Sequence, residues 1–248
     1  MKQTYKKTIT VQPEDLNASQ CLSLSALLRY TQEISGNHSD LLGHDWDTLA
    51  ARNLFWAVLR HRVVIRRLPV CGEEIRLETW PMPATRAAYP RCVRAFDKSG
   101  NVLFETVSLW VLMNMQTRTM VLPGKSGVDV PGIIRGDEPE FPSSLAPGLH
   151  EKTSLWTVSP RDLDVNGHVN NAKYLDHIEP LIGMLIPTDL TVCYLAEALL
   201  HQQIRLQWSL SPEGILSLDG TRIREDAPEK TERVFGVKLC CSVNQTKL

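Results

Sequence analysis

The residues best equipped for chemistry sit together in the second half of the chain, in Arg161-Asp162-Leu163-Asp164-Val165-Asn166-Gly167-His168-Val169-Asn170-Asn171-Ala172-Lys173-Tyr174. Asp164 can serve as a base or a nucleophile, Asn166 as an uncharged donor or orienting group, and His168 as a donor or proton carrier. Gly167 lets the backbone come close to a substrate carbonyl. The segment opens a predicted helix, where unpaired N–H groups and a partial positive charge favour an oxyanion, so the N–H groups of Gly167 and His168 are candidate oxyanion donors. Together these are parts for acyl transfer. A plainer reading stands beside it, in which Asp164 or Asn170 caps the helix, the glycine makes a turn and His168 is an ordinary exposed histidine.

An internal repeat weighs between the two. Thr10-Val11-Gln12-Pro13-Glu14-Asp15-Leu16-Asn17 matches Thr157-Val158-Ser159-Pro160-Arg161-Asp162-Leu163-Asp164, sharing Thr, Val, Pro, Asp and Leu. Ile75-Arg76-Leu77 is echoed in Ile204-Arg205-Leu206. Opposite Asp164, Asn166 and His168 the first copy carries Asn17, Ser19 and Cys21. A purely structural role would be expected to survive in both halves, so the polar set reads as a site kept by one half.

Each copy needs the same elements to position this segment. A short strand enters the shared turn, and a helical stripe follows: Leu24, Leu27, Leu28, Thr31 and Ile34 in the first copy, Tyr174, Leu175, Ile178, Leu181, Ile182 and Leu185 in the second. Pro180 interrupts the second stripe and predicts a kink or break there. Strand-type runs come next, at 54–65, 74–80, 89–96 and 102–113, then at 190–194, 203–208, 214–224 and 233–242. One helix followed by four strands without crossovers implies an antiparallel α+β sheet wrapped around its helix. Pro123, Pro131, Pro139, Pro142 and Pro147, with four glycines among them, mark a linker. The expected domains are therefore 1–122, a linker at 123–149, and 150–248.

The pattern Asp162-Leu163-Asp164-x-Asn166-x-His168-Val169-Asn170-Asn171-x-Lys173-Tyr174 resembles the signature of the acyl-acyl carrier protein thioesterases, tandem hot-dog enzymes of plant plastids and bacteria. The shorter Asp164-x-x-Gly167-His168-Val169-Asn170-Asn171-x-x-Tyr174 is similar to the single-hot-dog acyl-CoA thioesterases. The resemblance implies a double hot-dog fold and catalytic roles for Asp164, Asn166, His168 and a glutamate on the following strand, which falls at Glu197 in Leu190-Thr191-Val192-Cys193-Tyr194-Leu195-Ala196-Glu197-Ala198. Plant members often place a cysteine after that glutamate; Ala198 removes a thiol nucleophile here. Asn170, Asn171 and Tyr174 are implied substrate-binding residues, and Trp56, with Trp46, Trp80 and Trp110, is a candidate lining of an acyl tunnel. The implied reaction is hydrolysis of fatty acyl-acyl carrier protein, with acyl-CoA hydrolysis or non-catalytic acyl binding as alternatives. Acyl carrier protein is the implied partner, met by a monomer that is itself a pseudo-dimer or by a homodimer.

Composition bounds the remainder. With 248 residues, 43% of them hydrophobic, the chain can bury a sizeable core. Lys plus Arg number 27 against 28 Asp plus Glu, so no global field favours nucleic acid or an anionic membrane. No stretch reaches the ~18 apolar residues of a membrane span, and the start lacks a signal-peptide core or transit peptide, so a cytoplasmic protein of the bacterial branch is expected. Six cysteines without C-x-x-C spacing argue against zinc and a disulfide framework, and no cofactor or metal is expected. Arg60, Arg62, Arg66 and Arg67, with Lys6 and Lys7, can meet an acidic carrier, although arginines alternating along a strand more often form a solvated face. Gly124-Lys125-Ser126 lacks the first glycine and following helix of a phosphate loop, and neither G-x-S-x-G nor H-E-x-x-H occurs.

Overall fold

The computed structural model describes residues 3–164, 166–224 and 227–242, and the chain divides into two compact units, Met1–Pro142 and Ser143–Leu248. In the first unit, β1 (Tyr5–Thr10) leads through a 3-10 turn at Pro13–Asp15 into α1 (Leu24–Leu41). Ser23 starts that helix by accepting the Ala26 N–H at 3.1 Å. The predicted stripe of Leu24, Leu27, Leu28, Thr31 and Ile34 is buried, and the helix packs on the sheet strands β1, β3 and β4. After the short α2 (Trp46–Ala50) come β2 (Leu54–Ile65), β3 (Glu74–Pro81), β4 (Tyr89–Phe96) and β5 (Val102–Asn114), then the two-residue β6 (Met120–Val121) and the single turn α3 (Pro123–Ser126). The sheet runs β1-β3-β4-β5-β2, with β6 against β5 and every described pair antiparallel. This is the expected hot-dog arrangement, one long helix lying on one antiparallel sheet.

The second unit repeats the topology strand for strand. It holds β7 (Lys152–Thr157), β8 (Ile186–Tyr194), β9 (Gln203–Leu210), β10 (Ile215–Arg224) and β11 (Ala227–Ser242), ordered β8-β11-β10-β9-β7. The register carries the duplication down to single residues. Ile9 faces Ile75 in the first unit and Trp156 faces Ile204 in the second, so in each copy the residue just before the first echo pairs with the first residue of the second. Gly220 in β10 lies where the neighbouring strand's Phe235 ring crosses it: an added Cβ would fall 2.0 Å from Phe235 Cε1.

The second helix is where the copies part. Its place is taken by two 3-10 turns, Lys173–His177 and Glu179–Ile182. They break at Ile178, just before Pro180, whose missing N–H cannot serve an α-helical ladder. Gly183 then reverses the chain at φ 58°, and β8 begins three residues later. The predicted apolar stripe still turns inward: Tyr174, Leu175, Ile178 and Ile182 are buried.

The proline-rich stretch 123–149 is packed rather than loose. Ile133 N–H donates to Pro81 O (2.9 Å), and Asp137 pairs with Arg94 (3.0 Å). Gly132 passes so close to Met82 that a Cβ would sit 2.1 Å from its carbonyl carbon. Further on, Arg233 donates to Leu145 O (2.6 Å), and Asp219 accepts from Gly148 N–H and faces His150 Nε2 at 2.8 Å. The cysteines are all free. Among the described residues no helix is long and apolar enough to cross a membrane, and no cluster of three His, Cys, Asp or Glu side chains is placed to hold a metal.

Candidate active site

The loop between Asp162 and Asn170 is built by its own hydrogen bonds. The Asp162 carboxylate accepts the Ser159 N–H (2.8 Å) and hydroxyl (2.7 Å). Burial opposes its ionisation, but these bonds and the nearby His177 overcome that and hold the carboxyl below its usual range. Asp164 N–H donates to His168 O (2.8 Å), and Gly167 N–H to Asp164 O (3.1 Å). Asp164 Oδ1 accepts from the N–H groups of Asn166 (2.8 Å) and His168 (3.3 Å).

The first unit makes the same loop with other side chains. Asn17 Oδ1 accepts from the N–H groups of Ser19 (2.9 Å) and Cys21 (3.2 Å), Asn17 N–H donates to Cys21 O (2.7 Å), and Gln20 N–H donates to Asn17 O (3.0 Å). Gln20 adopts φ 59° where Gly167 adopts 78°. The backbone N–H groups of Gly167 and His168, the candidate oxyanion donors, are directed into the loop at Asp164. Gly167 takes the left-handed turn at φ 78°, and a Cβ there would meet open space. Asp164, expected as a base, has Oδ1 engaged as the loop's hub; the structural role does survive in both halves, carried by Asn17 in the first.

What distinguishes the second loop is what its side chains face. Bridge Leu163–Val169 closes the loop on itself, bridge His168–Leu199 fastens it to the segment after β8, and Val169 N–H donates to Ala198 O (2.9 Å). His168 Nε2 then lies 3.5 Å from Glu197 Oε2, with 23% and 46% of the two side chains exposed. An imidazole and a carboxylate thus meet where substrate and water can reach them. At the corresponding place in the first unit, Leu22 N–H donates to Pro69 O (2.7 Å), which puts the apolar Leu68 opposite Glu197. The Asn166 side chain is exposed, and its amide makes no hydrogen bond among the described residues.

The remaining expected residues support this pair. Asn170 Oδ1 accepts the Ala172 N–H (2.9 Å) two residues on, an Asx turn ahead of the 3-10 turn whose N-cap is Ala172 and carries no side-chain cap. Asn171 contributes its carbonyl, which accepts from the Tyr194 hydroxyl (2.8 Å). Tyr174 is buried among Trp156, Tyr194 and Phe235, with ring centroids 5.6, 5.7 and 4.6 Å away. Burial pushes its phenol well above the ordinary range, although the Ala198 N–H faces its oxygen. Tyr174 therefore underlies the site as packing beneath residues 197 and 198. His177 stacks on Trp156 at 4.1 Å, away from catalytic geometry.

Arg222 in β10 was not singled out by sequence reasoning. Its Nη1 donates to Glu197 O (3.1 Å) and Gln202 Oε1 (3.3 Å), and Nη2 pairs with Glu232. No motif announces it, because only strand pairing brings residue 222 beside residue 197.

Trp56 belongs to a cavity within the first unit. This space of about 140 Å³ is lined by Gln32, Ser35, Trp56, Tyr89, Arg91 and Trp110, among others. Of the other tryptophans, Trp80 is buried under Arg135 (3.7 Å from its ring) and Trp46 is 51% exposed. The arginines considered for docking are engaged locally: Arg62 with Glu140, Arg66 with Glu105, Arg67 with Glu73, and Arg60 with Pro142 O.

Comparison with known proteins agrees with this architecture. The family model for the acyl-ACP thioesterase N-terminal domain matches residues 2–122 and that for the C-terminal domain matches residues 149–226. The palmitoyl-acyl carrier protein thioesterase of Cuphea hookeriana is 28% identical over 194 residues, which is 70% of this chain and 46% of that protein. The chain thus covers about half the length of the curated relatives it matches. In fold it is similar to an acyl-ACP thioesterase from Bacteroides thetaiotaomicron (TM-score 0.84, 22% identity, 97% of this chain and 98% of that one). It is also similar to a 12:0-ACP thioesterase from Umbellularia californica (TM-score 0.79, 21% identity, 97% and 98%). Matched in both halves, and with the loop signature lying in the second, the chain belongs to the acyl-acyl carrier protein thioesterase family.

Proposed function

We propose that this chain hydrolyses the thioester between a fatty acyl chain and acyl carrier protein in the cytoplasm, releasing free fatty acid and ending chain elongation. The observation that carries the reading is the accessible His168–Glu197 pair, set on a loop that the first unit reproduces without either side chain. The first unit, residues 1–122 in our assignment, is the acyl-binding half, and 150–248 the catalytic half, with 123–149 connecting them. No cofactor or metal is needed for this chemistry.

With Nε2–H directed at Glu197, the lone pair of His168 resides on Nδ1, and the carboxylate stabilises the imidazolium that forms when a water proton is taken. The water oxygen bonds to the thioester carbon, the carbonyl electrons move onto oxygen, and collapse of that oxyanion expels the thiolate, which recovers the proton from His168. In this reading the exposed Asn166 amide donates to the oxyanion, and one such donor is typically worth ~3 to 4 kcal/mol of barrier. Asp164 positions His168 and Asn166, and Arg222 holds the Glu197 backbone. A rival route has Glu197 attack directly and form an anhydride.

The test is free-thiol release from matched acyl-carrier and acyl-CoA thioesters, by the wild type and by Glu197→Gln. We expect turnover of the carrier thioester to fall at least about a hundredfold in the variant, in line with loss of a general-base system. Wild-type-like rates would remove Glu197 from the mechanism, and inert thioesters with the wild type would remove the activity. Single-turnover hydrolysis in ¹⁸O-water separates the routes, since label in Glu197 would establish the anhydride.

A further inference from the structure

The cavity of the first unit has a wall that a plain hydrocarbon chain does not require. Trp56, Trp110, Pro81, Pro90 and Val130 make it largely apolar, yet Arg91 also lines it. Arg91 stands on β4 and is only 7% exposed. Its Nη1 donates to His38 Nδ1 (3.0 Å) and Thr79 Oγ1 (3.3 Å), and no carboxylate among the described residues reaches it. Arg94, three residues further along the same strand and equally buried, shows what this fold does with an arginine that has no other duty: Glu105 (2.6 Å) and Asp137 (3.0 Å) neutralise it. Burial lowers Arg91 to about 10, which still leaves it charged at neutral pH.

A buried cation without a carboxylate partner, in the wall of one small apolar space, is complementary to an anion that arrives on a hydrocarbon stem. The volume of about 140 Å³ is close to that of an engineered cavity of about 150 Å³ that takes a benzene ring. It therefore suits about six heavy atoms, such as a carboxylate and three methylenes.

We propose that this cavity receives a carboxylate carried on an alkyl chain, with Arg91 as its counter-ion. The inference rests on the reading of the first unit as the acyl-binding half. Two sources share this chemistry: the far end of a dicarboxylic acyl chain presented as substrate, or the head of a free fatty acid.

Calorimetry on the full chain with hexanoate and hexanol tests it. Hexanoate should bind the wild type at least tenfold more tightly than hexanol at neutral pH, and Arg91→Met should abolish the difference. Equal binding of the two probes to the wild type would overturn the proposal, whether or not Arg91→Met folds. Carrier-bound adipyl and hexanoyl thioesters then distinguish the sources. Faster hydrolysis of the carboxyl-ended chain assigns the substrate's far end, whereas preference for hexanoyl with inhibition by hexanoate and not by hexanol assigns the free acid. If neither thioester is hydrolysed the thioesterase reading fails, and the calorimetry still decides the cavity.

Discussion

Asp164→Asn and Asp164→Ala are expected to behave differently, and the difference separates a positioning carboxylate from a chemical one. In the wild type, Oδ1 accepts one good bond from Asn166 N–H (2.8 Å) and one long bond from His168 N–H (3.3 Å). Asn17 shows that an amide oxygen holds the same loop at 2.9 and 3.2 Å. Exchanging a charged for a neutral acceptor reduces a typical hydrogen bond from ~1.5–3 to ~0.5–1.5 kcal/mol, so Asp164→Asn costs about 1 kcal/mol of loop order, nearly all of it at the shorter bond. If that loss appears fully in the transition state, kcat/KM falls by no more than about tenfold. Alanine removes both bonds, comparable to losing a helix N-cap at ~0.5–2 kcal/mol, and releases His168 from its register. A catalytic group misplaced by ~1 Å can lose on the order of a hundredfold in rate. The assay is thiol release from an acyl-carrier thioester, with thermal melting to establish that both variants fold. An asparagine variant as inactive as the alanine variant, with its fold intact, would refute the positioning argument and return the charge of Asp164 to the chemistry.

Other expectations follow from single contacts. Arg222→Gln should lower kcat more than it raises KM, because the side chain anchors the Glu197 carbonyl; an unchanged kcat would count against it. Gly220→Ala drives a methyl group into the Phe235 ring and should destabilise the protein by ~1–3 kcal/mol, read as a lowered urea midpoint. His61 is fully buried, and desolvation holds it at about 4 against 6.5 in the open chain. Between those values the unfolded chain binds the proton and the folded chain does not. Stability is therefore complete above pH about 6.5 and declines towards pH 4, by roughly 3 kcal/mol at most. Comparing urea melts at pH 7 and 4.5 should show a smaller loss for His61→Phe than for the wild type, and equal losses would exclude His61 as the cause.

The strands were legible because alternation and punctuation both point to them: the runs predicted at 54–65, 74–80 and 89–96 match β2, β3 and β4 within a residue. The duplication was legible because the 3-10 turn needs its proline and aspartate in both copies, at Pro13 and Asp15 and at Pro160 and Asp162. Pro180 announced a break but not its extent. The apolar spacing that marks an α-helix also serves two 3-10 turns, and the short run to β8 that favours the latter is a tertiary constraint. In the site, residue types disclosed the His168–Glu197 meeting through resemblance, whereas the direction of the N–H groups did not follow from them. Asp164 and Asn17 looked like a difference between the halves, and in acceptor geometry they are the same device. Arg222 and Arg91 lay outside any motif, since their surroundings arise only when distant strands pair.

One loop contour presents two different sets of side chains. Leu68 stands in the first unit where Glu197 stands in the second, and Asn17, Ser19 and Cys21 stand where the second has Asp164, Asn166 and His168. Amide directions here are therefore dictated by the turn that follows the opening strand, whichever side chains that turn displays.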